Sequence, residues 1–245
     1  GALGALNLLF KNKNLKGPVF IAGGDNLSDF DLTKKVAVYN ESKSDVIGLF
    51  DVEETAKRVG NYKWLEIKLF EALGGWVATV PELDVKLRLG THCYHHAWHA
   101  ELFDKRLPEL REMKTERLTV PANDEIATFV EAMTAPEDAH MTIEKLVGVY
   151  RVLIPHTIAA YTYHRNATSE ITDMPTVRIL DFILQDEFND WREGEMLIQS
   201  MLESDEEVDR AMTHQAKLEK LMLAAGGIAG PGSIGDPYVE AMEDN

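Results

Sequence analysis

The chain has 245 residues, 41 acidic and 25 basic, and a formal charge of −16. This charge repels phosphate backbones and anionic membranes, and no basic patch offsets it, so we expect neither nucleic acid nor a membrane as a partner. The apolar content of 45% is ordinary for a globular protein, and no run approaches the roughly 18 apolar residues of a membrane span. One domain with appendages is the expected organisation.

The N-terminal region is predicted to be irregular. Residues 1–50 hold Gly-Pro and Gly-Gly pairs and one short β-like run at 36–39, which predicts an arm packed over something else. The chain begins without an initiator Met, and its mildly apolar start lacks the basic lead of a signal peptide, so targeting stays open. Because Cys93 is the only cysteine, no internal disulfide can form, and a cytoplasmic setting is expected.

Helical periodicity begins after the arm. Asp51 with Glu54 forms a capping box, and the apolar stripe that follows predicts a first helix that ends just before Thr79. Thr79 with Glu82 forms a second box, which opens a second helix continuing to about Leu110. The two helices are predicted to form a tight hairpin.

A second hairpin is predicted further along the chain. After a longer connection over residues 115–140, a third helix runs from about 141 to 168, with Pro155 removing one backbone donor and bending it. A fourth helix starts at Asp173, has Pro175 in its first turn, and pairs with the third.

The C-terminal part adds one helix and a tail. Ser204 with Glu207 opens a fifth helix that ends near residue 225, and the Met-rich stretch at 212–222 predicts packing, with a homodimer contact as an open alternative. The Gly-rich, acidic end predicts a flexible tail. The expected organisation is therefore an arm at 1–50, a helical body at 51–225 and a tail at 226–245.

Residues that bind metals interrupt the apolar stripes near the middle of the long helices. A projection at about 100° per residue places His92, His96 and His99 on the inward face of the second helix, with His95 at its edge. Because burying an unpaired carboxylate costs several kcal/mol, Glu66 and Glu187 must be paired, protonated or bound to a cation. Imidazole and carboxylate together suit iron, manganese or zinc. The candidate metal ligands are Glu66, His92, His95, His96, His99, His156, Glu187 and Asp190.

The layout over residues 51–204 resembles the ferritin-like superfamily, in which two helical hairpins place carboxylates and histidines around two irons. The family pattern has a Glu on one helix of each hairpin and Glu-x-x-His on the other. Here Glu66 matches the first Glu, while His92-x-x-His95 and Glu187-x-x-Asp190 stand at the Glu-x-x-His positions. In the third helix His156 lies one turn before Ala160, the equivalent of the other Glu. These departures leave open a His-rich site, a single metal or none.

The resemblance implies an all-α, antiparallel four-helix bundle with an extra C-terminal helix. It also implies one or two iron or manganese ions and oxygen or peroxide chemistry on a small organic substrate, as in a non-haem metal oxidoreductase. The implied ligands are Glu66, His92, His96, His156 and Glu187. A substrate pocket is expected beside them, formed by Ala160, Tyr161, Tyr163, Trp191 and Gly194. The alternative is a metal-free ferritin-like protein whose polar core binds a ligand or partner without redox chemistry.

Overall fold

The computed structural model describes residues 50–110 and 114–235. By its contacts the chain divides into two units, Gly1–Ser42 and Lys43–Asn245, and every described residue belongs to the second. The described residues form helices joined by short connections and contain no strand, which confirms the all-α prediction for this part of the chain. The predicted arm, except for Phe50, and the predicted tail beyond residue 235 lie outside the described residues.

The α-helices differ widely in length. In chain order they are α1 (Val52–Thr79), α2 (Leu83–Arg106), α3 (Thr115–Leu118), α4 (Asp124–Thr134), α5 (Thr142–Leu146), α6 (Ile154–Ala167), α7 (Glu170–Met201) and α8 (Asp205–Ala225). Four of the longer ones, α1, α2, α6 and α7, carry the candidate ligands. A π-helical segment, Val147–Leu153, joins α5 to α6. Short 3-10 turns at Leu107–Glu109 and Ala139–Met141 complete the described helices.

Two of the predicted caps form as expected. The Asp51 side chain accepts a hydrogen bond of 2.8 Å from the backbone N–H of Glu54 at the start of α1. At the start of α8, Ser204 and Glu207 form the full reciprocal capping box. Such caps satisfy backbone donors that the first helical turn leaves unpaired.

Two other predicted boundaries differ. Thr79 ends α1, and Glu82 precedes α2 without capping it, because its carboxylate instead accepts from Thr142 at 3.0 Å. α7 begins at Glu170, and Asp173 forms a kink inside it, with φ −144° and ψ 46°. The Asp173 carboxylate accepts from the backbone N–H of Thr176 at 3.3 Å, so it still acts as a cap for the part of α7 after the kink.

The helices pack in two groups. α1 packs against α2, and α7 packs against both α6 and α2. α8 covers α4 and the π-helical segment, where Leu218 and Met133 close on Gly148. Within the described residues, no helix combines the length and the apolar character that crossing a membrane requires.

The π-helical segment is how the chain accommodates Pro155. Proline has no N–H, so it cannot donate to the carbonyl four residues earlier. The preceding residue, Ile154, bonds five residues back, from its N–H to the carbonyl of Val149. One such widened turn adds a residue to the helix and therefore rotates the following side chains by roughly 100° relative to a continuous α-helix.

Residues 226–235, predicted as the first part of a flexible tail, form a series of turns against α1. Gly226, at φ 75°, ends α8 in the left-handed conformation that glycine adopts without strain. Arg58 of α1 donates to the carbonyls of Gly232 at 2.9 Å and Ser233 at 3.4 Å. The glycine turns thus present carbonyl oxygens to a buried guanidinium, which holds this segment in place.

Candidate metal centre

Four ligand-type residues from three helices meet inside the protein. Each is fully buried, and each offers one nitrogen or oxygen atom, all of which lie within 4.8 Å of one another. We call this set the inner cluster: Glu66 of α1, His96 and His99 of α2, and Glu187 of α7. The spacing His96-x-x-His99 places both imidazoles on one face of α2, so they reach the same point.

The spacing within the inner cluster suits a metal ion. Nδ1 of His96 lies 2.7 Å from Glu66 Oε2 and 3.7 Å from Glu187 Oε1. Nδ1 of His99 lies 3.5 Å from each of the same two oxygens. Ligands bound at roughly 2.1 Å from one ion in tetrahedral or octahedral geometry are about 3.0–3.4 Å apart. The observed distances bracket that separation.

The two buried carboxylates have opposite pKa shifts. Burial alone would raise the pKa of Glu66, but the neighbouring imidazoles of His96, which bonds it, and His99 outweigh burial and lower it to about 2. Burial raises the pKa of Glu187, and the neighbouring imidazoles offset this only in part. The difference has a structural cause, because Glu66 accepts a bond of 2.7 Å from His96, whereas Glu187 lies 3.5 Å or more from both imidazoles.

Glu187 is the least satisfied member of the inner cluster. Neither of its carboxylate oxygens has a hydrogen-bond partner, and Nε2 of His96 and Nδ1 of His99 also lack one. Leaving a buried polar atom unpaired costs about 1–3 kcal/mol. A cation between these atoms would give the lone pairs of Glu187 and His99 a partner at the same time.

Neighbouring residues orient the ligands. His99 donates from Nε2 to Oδ2 of Asp186 at 3.2 Å, which leaves Nδ1 facing Glu66 and Glu187. A bond to one imidazole nitrogen of this kind fixes which nitrogen is free to bind a metal. The Tyr161 hydroxyl donates to Oε1 of Glu66, and burial raises the pKa of Tyr161 well above its usual value, so it stays a donor.

A second set of imidazoles and carboxylates adjoins the first, one helical turn along α2 and α7. We call it the outer cluster: His92, His95, Asp190 and Glu193. His92 Nε2 lies 3.3 Å from Asp190 and 3.2 Å from Glu193, and His95 Nδ1 lies 2.9 Å from Asp190. Tyr150 of the π-helical segment holds the other nitrogen of His92 at 2.6 Å. Burial lowers the pKa of His92, which favours its neutral form.

The structure brings together most of the predicted ligands but not His156. That residue is half-buried, and its Nε2 pairs with Glu219 of α8 at 3.0 Å. The projection that turned His156 inward assumed a continuous α-helix, and the widened turn before Pro155 rotates it toward α8. Tyr161 contacts Glu66 instead.

The predicted substrate pocket is filled. A Cβ on Gly194 would lie 2.0 Å from the ring of Tyr150, so this ring already occupies the space that the missing side chain leaves. Trp191 is 38% exposed, and Tyr163 packs edge-on against Phe50 rather than beside the ligands. Ala160 is buried, and Tyr161 is a hydrogen-bond donor in the centre rather than a pocket wall.

Sequence reasoning missed Glu193 of the outer cluster, and it also missed Asp186, Tyr150 and Arg88, which bond to members of the two clusters. Asp186 precedes Glu187 and lies four residues before Asp190, so its place beside the inward face could have been found from helical spacing. No comparable signal exists for Tyr150, because its position depends on the π-helical geometry.

The fold and the inner cluster together define an all-helical protein with a buried histidine and carboxylate site that could hold a metal ion. Comparison with protein-family models, with curated proteins and with solved structures finds no match to this chain.

Proposed function

We propose that the inner cluster is a metal centre and that the protein is a ferritin-like, metal-dependent oxidoreductase acting on a small organic substrate. The observation that carries this proposal is Glu187, whose fully buried carboxylate accepts no hydrogen bond although two imidazoles face it at 3.5 and 3.7 Å. A bound cation would stabilise a buried carboxylate in this state.

Contacts among four helices support a bundle around the centre. α1 and α2 form one hairpin, and α6 and α7 form the other. Between the hairpins, Tyr161 of α6 bonds Glu66 of α1, and His164, further along α6, packs against Tyr62, which comes earlier in α1. α1 and α6 therefore run antiparallel. We propose on this basis an antiparallel four-helix bundle of the ferritin-like kind, with α8 as the additional helix.

Iron or manganese is the proposed metal, as a single ion. Two imidazoles with two carboxylates suit these metals, whereas calcium and magnesium favour oxygen ligands throughout. When bound, the ion would supply oxygen or peroxide activation. The chain's own part is to keep Glu66 ionised, to direct His99 through Asp186, and to exclude bulk water, since all four ligands have no exposed surface.

A metal-free polar core that binds a ligand or partner is the second candidate. It is favoured by the bonds that Glu66 already accepts from His96 and Tyr161, which satisfy this carboxylate without an ion. Glu187 argues against it, because the same network leaves its oxygens unpaired.

Elemental analysis of protein purified without chelator separates the two candidates. The metal centre predicts close to one iron or manganese per chain, and Glu187→Gln should lose it while the helical content is retained. Glu170→Gln is the matched control, because it makes the same change at an exposed position on the same helix. A wild-type protein that stays free of metal after reconstitution with Fe(II) and Mn(II) contradicts the proposal.

A further inference from the structure

We propose that the outer cluster is a loading site, through which a divalent cation passes from solvent to the inner cluster. The inference rests on the proposed metal centre and adds a second, transient metal site to it. Its basis is the position of the outer cluster between the surface and the centre, together with the ligand spacing and hydrogen bonding of its residues.

Exposure increases from the inner cluster outward. The four inner side chains have no exposed surface, so an ion cannot reach them directly. In the outer cluster His92 and Asp190 are 0% and 2% exposed, whereas His95 and Glu193 are 23% and 38% exposed. The outer cluster therefore connects solvent to the centre through groups that bind cations.

Bonded pairs within the outer cluster have the spacing of neighbouring metal ligands, whereas among the described residues only the inner cluster brings ligand atoms of four residues within 4.8 Å of one another. The distances from Asp190 to the two imidazoles and from His92 to Glu193 lie between 2.9 and 3.3 Å, close to the roughly 3.0–3.4 Å between neighbouring ligands of one ion. His92 is held by a hydroxyl, which can donate or accept. The neutral ring can therefore carry its proton on Nδ1 and donate it to the Tyr150 oxygen, which leaves the lone pair of Nε2 free for a cation.

The two clusters adjoin along both helices. His92 and His95 precede His96 and His99 by one turn of α2, and Asp190 follows Glu187 by one turn of α7. The rings of His95 and His99 lie 6.5 Å apart, centre to centre. A cation moving inward would travel roughly one helical turn, about 5.4 Å, from the carboxylate of Asp190 to that of Glu187.

Hydrogen bonding explains why the ion would pass through rather than stay. In the outer cluster the ligand atoms of His92, His95 and Asp190 already bond one another, and Glu193 pairs with Arg88 at 3.0 Å. A cation must therefore displace those contacts. In the inner cluster both oxygens of Glu187 have no such bond to lose. The inner cluster should therefore bind the ion more tightly, with the outer cluster setting the rate of exchange.

The test is the rate of Co(II) uptake by metal-free protein, followed by visible absorption in stopped flow, and the rate of release to a chelator. His95→Gln and Asp190→Asn should each slow both rates on the order of tenfold. His95→Gln removes the ligand that an entering cation meets first, and Asp190→Asn removes a carboxylate that attracts the cation. Bound cobalt should remain at one ion per chain, with the dissociation constant changed less than about threefold, since both rates fall together. His95 is partly exposed, so its variant should fold normally even if Asp190→Asn is destabilised.

The matched control for Asp190→Asn is Asp181→Asn, which makes the same change on α7 at a position that is 50% exposed. Glu101→Gln, at a position of α2 that is 56% exposed, controls for loss of a surface charge on the helix that carries His95. Rates unchanged from wild type in the two outer variants would overturn the loading site while leaving the metal centre intact. Two cobalt ions in the wild type, falling to one in Asp190→Asn, would also overturn it by showing a permanent second site. A wild-type protein that binds no cobalt contradicts the metal centre itself, and this inference with it.

Discussion

The protein has two kinds of interior. Around Gly148 of the π-helical segment, Leu218 of α8 and Met133 of α4 form an apolar region beside His214. Between α1, α2 and α7 the buried residues include the two glutamates and two histidines of the inner cluster. Both regions exclude solvent equally well, so burial alone does not distinguish them.

The difference lies in what each region contributes to folding. Burying apolar side chains stabilises the fold, whereas burying carboxylates and imidazoles costs desolvation that their mutual attraction recovers only in part. The apolar region is what a stable fold needs. The polar region is retained at some cost in stability, which is the pattern expected where selection acts on binding.

The largest change in stability should come from removing one charged member of the inner cluster while its partners remain. Glu66→Leu removes the acceptor of both His96 and Tyr161 and should destabilise the metal-free protein by about 3–5 kcal/mol, because it leaves a buried imidazolium uncompensated. Urea unfolding at pH 7 measures this. Glu71→Leu, at a position of α1 that is 54% exposed, is the control, with a change within about 0.5 kcal/mol. A loss below about 1 kcal/mol for Glu66→Leu would contradict the account.

A cavity in the apolar interior should destabilise without affecting metal binding. Leu218→Ala removes a fully buried side chain of α8 and should cost about 3 kcal/mol. Metal content, measured by elemental analysis, should equal that of the wild type. Leu223→Ala, on the same helix and 71% exposed, should leave stability nearly unchanged. Loss of metal in Leu218→Ala would show that the two interiors are coupled.

Replacing all members of the inner cluster together with apolar residues should increase the free energy of unfolding rather than decrease it. The combination Glu66→Met, His96→Leu, His99→Leu, Glu187→Met and Tyr161→Phe leaves no member unpaired and should raise the free energy of unfolding by about 2 kcal/mol. Metal binding should be abolished. Unfolding in guanidinium compares the variant with the metal-free wild type, and a less stable variant would mean that the polar interior contributes net stability.

The smallest effect concerns His164, a buried histidine outside both clusters. Neither ring nitrogen has a partner, and burial together with the charge of Arg58 lowers its pKa from 6.5 to about 3. His164→Leu should stabilise the protein by about 1 kcal/mol at pH 8, because an unsatisfied polar group is removed.

The pH dependence of the same variant sharpens the test. Between pH 6.5 and about 3 the unfolded chain binds a proton at His164 that the folded protein does not. The free energy of unfolding of the wild type is therefore unaffected by His164 above pH 6.5 and decreases as the pH falls below it. The gap between His164→Leu and wild type should widen by about 1.4 kcal/mol per pH unit below 6.5. Thermal unfolding at several pH values measures it, and a constant gap would mean that His164 finds a partner in solution.

Much of the site follows from helical periodicity. The 3.6-residue repeat placed Glu66, His96, His99 and Glu187 on inward faces, and the structure buries all four. It also placed His95 at the edge of its face, where it is partly exposed. These positions lie in unbroken helices, α1, α2 and the part of α7 after its kink, for which a regular projection is accurate.

The errors of sequence reasoning arise where the helix is not regular. The π-helical segment before Pro155 turned His156 toward Glu219 and brought Tyr150 over Gly194, and neither change is encoded in a regular repeat. The start of α7 was placed at Asp173 because a capping residue and a following proline are found at helix starts. The helix instead passes through Asp173 with a kink that Arg106 supports at 2.6 Å.

The most direct test of the central claim is X-ray absorption spectroscopy on the iron-loaded protein, compared with His99→Gln. The account predicts a shell of nitrogen and oxygen ligands at about 2.1 Å with the scattering of two imidazoles, reduced to one in His99→Gln. An iron shell without imidazole scattering, or one that His99→Gln leaves unchanged, would contradict a metal centre built from Glu66, His96, His99 and Glu187.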